Sequence, residues 1–136
     1  MEYREGRAYL SQVRTIESLI RQKLLLAEAL RASLMPRAIQ YDTDKVQTSP
    51  ADHLSEVMVK IDLLNEEVNA LAAEKQAAII QVADAIGTLE SEVEREVLTA
   101  FYIAGRSARL IAQEMHYSRR GVYRIMRRGI EKLESL

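Results

Sequence analysis

Five arginines fall within ten positions of the stretch HYSRRGVYRIMRRG, residues 116–129: Arg119, Arg120, Arg124, Arg127 and Arg128. A guanidinium stays charged at physiological pH and donates from a planar fork. That fork matches a phosphate, or the major-groove edge of guanine, with two hydrogen bonds. Clustering such groups costs mutual repulsion, and residues 115–130 contain no Asp or Glu to offset it. The chain as a whole has a formal net charge of −1. Residues 1–104 hold 11 Lys/Arg against 17 Asp/Glu, a net of −6, and residues 105–136 hold 8 against 3, a net of +5. An acidic body with a basic end suggests that one end meets a polyanion. From charge alone, a solvated basic surface or a site for an acidic protein is the plainer reading.

Other chemistry finds little support. There is no Cys, which excludes disulfides, thiol catalysis and cysteine metal sites. His53 and His116 are far apart and neither has an obvious carboxylate partner, although His116 could touch a phosphate. Asp42 and Asp44 hint at a calcium loop, but no Gly and no closing acid follow at the required spacing. Nucleophile motifs, phosphate loops and dinucleotide fingerprints are missing. The expectation is a non-enzyme with no metal and no cofactor.

The elements that must position the arginines read as helices throughout. The chain has 136 residues, is 48% apolar, and contains only five Gly and two Pro, which suits long helices. Tyr9, Val13, Ile16, Ile20, Ala27, Leu30 and Leu34 predict one long helix from Tyr3 to about Leu34, widened by Leu19, Leu24, Leu25 and Leu26. Pro36 and Pro50 bound a loop at about 35–49, with Thr48 or Ser49 as the cap of a second helix. That helix runs from Pro50 to about Ile86 on a stripe including Leu54, Val57, Met58, Ile61, Leu64, Val68, Ala78 and Val82. Neither helix can bury its stripe alone, so an antiparallel hairpin is expected over residues 1–86. A second copy of the chain would cover what remains exposed.

After Gly87, a helix capped by Thr88 or Ser91 carries Val93, Val97, Leu98, Phe101 and Tyr102 on its core face and stops at Gly105. Ser107 caps the short helix SARLIAQEM, His116 and Tyr117 turn, and Ser118 caps a last helix from Arg119 to about Leu133. At 100° per residue, Val122, Met126, Gly129 and Leu133 share one direction, flanked by Ile125 and Ile130. Arg120, Arg124 and Arg127 point the other way, with Tyr123 and Arg128 at the margins. Leu110 and Ile111 of the short helix should pack on the apolar seam. Two helices joined by a tight turn, the second of them basic, describe a helix-turn-helix over residues 87–136. Arg119, Arg120, Tyr123 and Arg124 would then face base edges in duplex DNA, and Arg127 and Arg128 phosphates. Ser107, Arg109 and Ser118 would meet the backbone as well, and Gly121 would permit close approach.

The segment EREVLTAFYIAGRSARLIAQEMHYSRRGVYRIMRRGIEKL resembles sigma-70 region 4, the part of bacterial sigma factors that reads the −35 promoter element. The resemblance lies in REVL, the Gly105-x-Ser107 step, IAQEM, Ser118, Val122, Ile125 and the closing Ile130 to Leu133. With the YDTDKVQTSP loop and the acidic helix after it, nearly the whole chain resembles a family of small phage and prophage proteins of Gram-positive bacteria, DUF1492, presumed to be transcriptional regulators. Region 2, which melts the −10 element, has no counterpart here, so an autonomous sigma factor is not expected.

The resemblance and the residues together imply an all-α regulator in the bacterial cytoplasm. It would dimerise or assemble further through its long helices, read duplex DNA and act with host RNA polymerase. Two rivals come from other classes: a protein that binds polymerase or a sigma factor without reading DNA, and a packaging protein like a small terminase subunit. The start, MEYREGRAYL, is charged and unlike a signal peptide, and no membrane partner is expected.

Overall fold

The computed structural model describes residues 1–35 and 50–134, and every described element is helical. In chain order these are α1 (Tyr3–Leu10), α2 (Gln12–Ser33), α3 (Pro50–Gly87), α4 (Glu92–Leu98), a π-helical turn (Thr99–Ile103), α5 (Ala108–Met115) and α6 (Arg119–Glu131). No described helix is long and apolar enough to cross a membrane. The expected loop at 35–49 lies, beyond Met35, outside the described residues, as do its caps Thr48 and Ser49 and the pair Asp42 and Asp44.

The chain divides into two compact units: Met1–Glu17 with Ala73–Leu136, and Ser18–Ala72. The division expected near residue 86 does not coincide with this. The first 17 residues and the last turns of α3 belong with the C-terminal helices.

The first unit holds a continuous apolar core. It draws Leu10 and Val13 from the N-terminal helices, Ala78, Val82 and Ile86 from α3, Val97 and Leu98 from α4, and Ile111 from α5. From α6 and beyond come Val122, Ile125, Met126, Ile130 and Leu133. Fully burying one such side chain contributes about 1.5–3 kcal/mol, so this core dominates the stability of the unit. Val93 and Leu110, both expected to face the core, are exposed. On α4 the inward position is taken instead by Glu94, and on α5 Ile111 and Ala112 suffice.

The expected single helix over 3–34 is interrupted at Ser11. The Ser11 hydroxyl donates to the Arg7 carbonyl at 2.6 Å while the Ser11 amide donates to the same oxygen at 3.0 Å. Such back-bonding by a serine competes with the ladder and bends helices. The helix after Ser91 also departs from expectation, because its second half winds as a π-turn. The Ala104 amide reaches back five residues to Thr99 O at 3.0 Å. Arg14 supports the wider turn from outside. Its Nη1 donates to Phe101 O at 2.9 Å, and its guanidinium lies 4.1 Å from the Phe101 ring centroid. Tyr102 packs edge-on against Phe101 and is buried, and its desolvation pushes the phenol up to about 12. An ion pair, Lys75–Glu17 at 2.9 Å, also lies within this unit.

In the second unit Ala27, Ile61 and Leu64 are buried. Lys23 bonds Glu67 at 2.7 Å and holds that carboxyl below its ordinary value, by hydrogen bond first and by charge second. Leu24, Leu25, Leu26, Leu54, Met58 and Leu63 remain exposed there.

Candidate nucleic-acid interface

Local chemistry places α5 and α6. Gly105, at φ +73°, turns the chain out of the π-turn in a conformation that side chains with a Cβ disfavour. Ser107 Oγ then accepts from the Leu110 amide at 3.1 Å and starts α5. His116 ends α5 in the left-handed region at φ 60°, and the Tyr117 amide donates to Ala112 O at 3.0 Å. Ser118 Oγ accepts from the Gly121 amide at 3.0 Å and starts α6. The two helices are therefore separated by His116, Tyr117 and the cap alone.

The apolar side of α6 is Val122, Ile125, Met126, Gly129 and Ile130, all buried. Its outward side carries the arginines. All nine residues singled out by sequence are exposed: Ser107, Arg109, Ser118, Arg119, Arg120, Tyr123, Arg124, Arg127 and Arg128. Tyr117 and Tyr123 add exposed rings beside them, and Leu110 adds an exposed aliphatic group.

The arginines are not equivalent. Arg127 Nε bonds Glu131 Oε1 at 3.0 Å, and its guanidinium sits 4.6 Å from the Tyr3 ring centroid. Arg128 Nε lies 3.5 Å from Glu94 Oε1, which also accepts from Lys132 Nζ at 2.9 Å. Among the described residues no ion pair joins Arg109, Arg119, Arg120 or Arg124 to a carboxylate. These four present uncompensated positive charge to solvent. Their guanidinium forks can bind phosphate oxygens or guanine edges with no internal pair to break.

Three residues that position this face carried no functional signal in the sequence. Gly6 is buried in α1, and a Cβ there would lie 2.5 Å from Ile130 Cγ2, so only glycine lets α1 pack this closely on α6. Tyr3 covers Arg127. Glu94 is buried beneath α6. An isolated Gly in the helical run around Gly6 was the one available hint, since such a glycine often marks a close approach. Gly129 does the same work on the other side, where a Cβ would meet Leu98 Cδ1 at 2.8 Å.

An open groove of about 590 Å³ lies elsewhere, between the end of α3 and the π-turn, lined by Ile86, Arg95, Ala100, Ile103 and Arg106 among others. None of the nine sequence-derived residues lines it. Among the described residues no cluster of three or more His, Asp or Glu has the geometry of a metal site. Comparison with protein-family models, curated proteins and solved structures returned no match.

Proposed function

We propose that this protein is a sequence-specific, duplex-DNA-binding transcriptional regulator of phage type, with α5 and α6 as a helix-turn-helix and α6 in the major groove. The carrying observation is the two-sidedness of α6. Its inner face is buried in the core, while Arg120 and Arg124 stand exposed on the outer face and, among the described residues, without an ion-pair partner. Phosphates and guanine edges meet both the charge of such a face and the paired donors of its guanidiniums, and binding a polyanion there releases its condensed counterions. Arg119 and Tyr123 would share the base edges, and Arg109, Ser107 and Ser118 would meet the sugar-phosphate backbone beside them.

Two finer parts belong to the same proposal. The resemblance of residues 94–133 to sigma-70 region 4 supports promoters as targets and host RNA polymerase as a partner. The long helices α2 and α3 would form an antiparallel, coiled-coil-like hairpin that joins two copies of the chain. The exposed Leu24, Leu25, Leu26, Leu54, Met58 and Leu63 support this, since a partner helix would remove them from water.

The direct experiment is capture of sheared genomic DNA from the source by the purified full chain at about physiological salt, followed by sequencing. Discrete peaks upstream of genes support the proposal. A flat background that disappears with added salt would reduce the arginines to non-specific phosphate binders and refute sequence-specific regulation by this chain alone.

A further inference from the structure

We infer that Glu94 is a positioning residue that divides the basic surface into two classes of cation, anchors and ligands. It rests on the DNA-binding reading above for what the ligand class binds. Glu94 is 1% exposed, although it is a carboxylate. A buried carboxylate is expensive unless it is paired, and removal of its partners leaves an uncompensated charge in the interior. Here Oε1 accepts a hydrogen bond from Lys132 Nζ at 2.9 Å and has Arg128 Nε at ion-pair distance, 3.5 Å, while Oε2 is buried with no hydrogen-bond partner among the described residues.

Arg128 comes from the last turn of the arginine helix and Lys132 from its C-cap, and the carboxylate comes from α4 beneath it. The close approach of the two helices is built in at Gly129, where a Cβ would stand 3.4 Å from Glu94 Cβ and 2.8 Å from Leu98 Cδ1. The pair therefore fixes the rotation and height of α6 over the core. Moving Arg128 to a phosphate would leave Glu94 with Lys132 as its one cation among the described residues, in a site where Oε2 already has no partner among them. Arg128 and Lys132 consequently stay with Glu94 when the polyanion binds. The ligand class is Arg109, Arg119, Arg120 and Arg124, which among the described residues have no internal pair to break.

The consequence separates from a general loss of stability because it concerns salt dependence. Each phosphate neutralised by a cation contributes about 0.9 to the slope of log affinity against log salt. The test compares the full chain with Arg124→Gln, Arg128→Gln and Glu94→Gln on one duplex taken from the genomic capture, at several salt concentrations. Arg124→Gln should lower the slope by about one. Arg128→Gln should weaken binding by displacing α6 while leaving the slope as in the parent. A slope that falls by about one in Arg128→Gln, as in Arg124→Gln, overturns the division. Thermal unfolding of Glu94→Gln, Arg128→Gln and the double variant supplies a second, DNA-free reading. Anchoring requires the double variant to melt well above the value expected from summing the two single shifts, and additive shifts overturn it. If the parent chain captures no DNA, the regulator reading fails, and the unfolding cycle alone decides whether Glu94 anchors α6.

Discussion

Gly6→Ala sets two physical effects against each other at one atom. In an exposed helix, replacing Gly by Ala stabilises by about 1 kcal/mol through backbone entropy. Gly6 is buried, however, and the added Cβ would fall 2.5 Å from Ile130 Cγ2, with Met1 Sδ at 3.3 Å and Ile130 O at 3.5 Å. Carbon atoms in contact rest at about 3.5–4.0 Å, so roughly 1 Å must be found. Ile130 cannot yield alone, because it is fully buried and β-branched, with one strongly preferred rotamer in a helix. Instead α1 must lift from α6, which also draws Tyr3 away from Arg127. Overpacking of this kind costs about 1–3 kcal/mol, which outweighs the entropic gain and leaves a net loss of about 1 kcal/mol. In thermal unfolding this corresponds to a Tm lower by about 3–5 °C. Gly87→Ala is the matched control. No atom of the described residues packs within 4 Å of its added Cβ, so it should hold or raise the Tm. A Gly6→Ala variant that gains as much stability as Gly87→Ala would refute the packing of α1 on α6.

Three further outcomes follow from single contacts. His116→Gly should stabilise the chain by about 0.5–1 kcal/mol in denaturant titration, because glycine removes a left-handed penalty of about 1–2 kcal/mol and returns part of it as unfolded-state entropy. Ser118→Ala removes the cap on the Gly121 amide and should cost about 1 kcal/mol, read in the same titration. Tyr102 keeps its proton to about pH 12 when folded but titrates near 10 when unfolded, so the folded state binds more protons between those values. Its contribution is complete below pH 10 and is lost as pH rises toward 12, on the order of 2 kcal/mol. Tyr102→Phe should abolish that part of the alkaline slope, and a slope identical to the parent's would count against the burial of the phenol.

The strongly periodic segments are legible in the sequence. Ala27, Ile61, Leu64, Ala78 and Val82 sit on stripes that continue over several turns, and periodicity averages out local noise. The caps Ser91, Ser107 and Ser118 were equally readable, since a serine before a helical run satisfies amides that have no other partner. The inner face of α6 follows from the 100° rule alone, and so does the exposure of its arginines. What escaped depends on contacts between distant residues. The π-turn at Thr99–Ile103 is supported by Arg14, which no local rule connects to Phe101. The burial of Glu94 in place of Val93 depends on cations 34 and 38 residues further along. For the same reason Arg127 and Arg128, which share the cationic face in a helical projection, prove to be tied to Glu131 and Glu94. The membership of α1 in the C-terminal unit was hidden because its close contact is made through Gly6, a residue with no side chain.

The most direct measurement of the central claim is the affinity of Arg120→Glu/Arg124→Glu for a duplex that the parent chain captures. Both side chains are exposed and neither is in an ion pair among the described residues, so the fold has no stake in them. Helicity by circular dichroism and oligomeric state should match the parent. Each lost bidentate contact is worth about 1–3 kcal/mol and each reversal adds repulsion from phosphate, so affinity should fall by more than about 100-fold. A variant that folds as the parent does and binds the duplex as tightly would show that α6 does not read DNA.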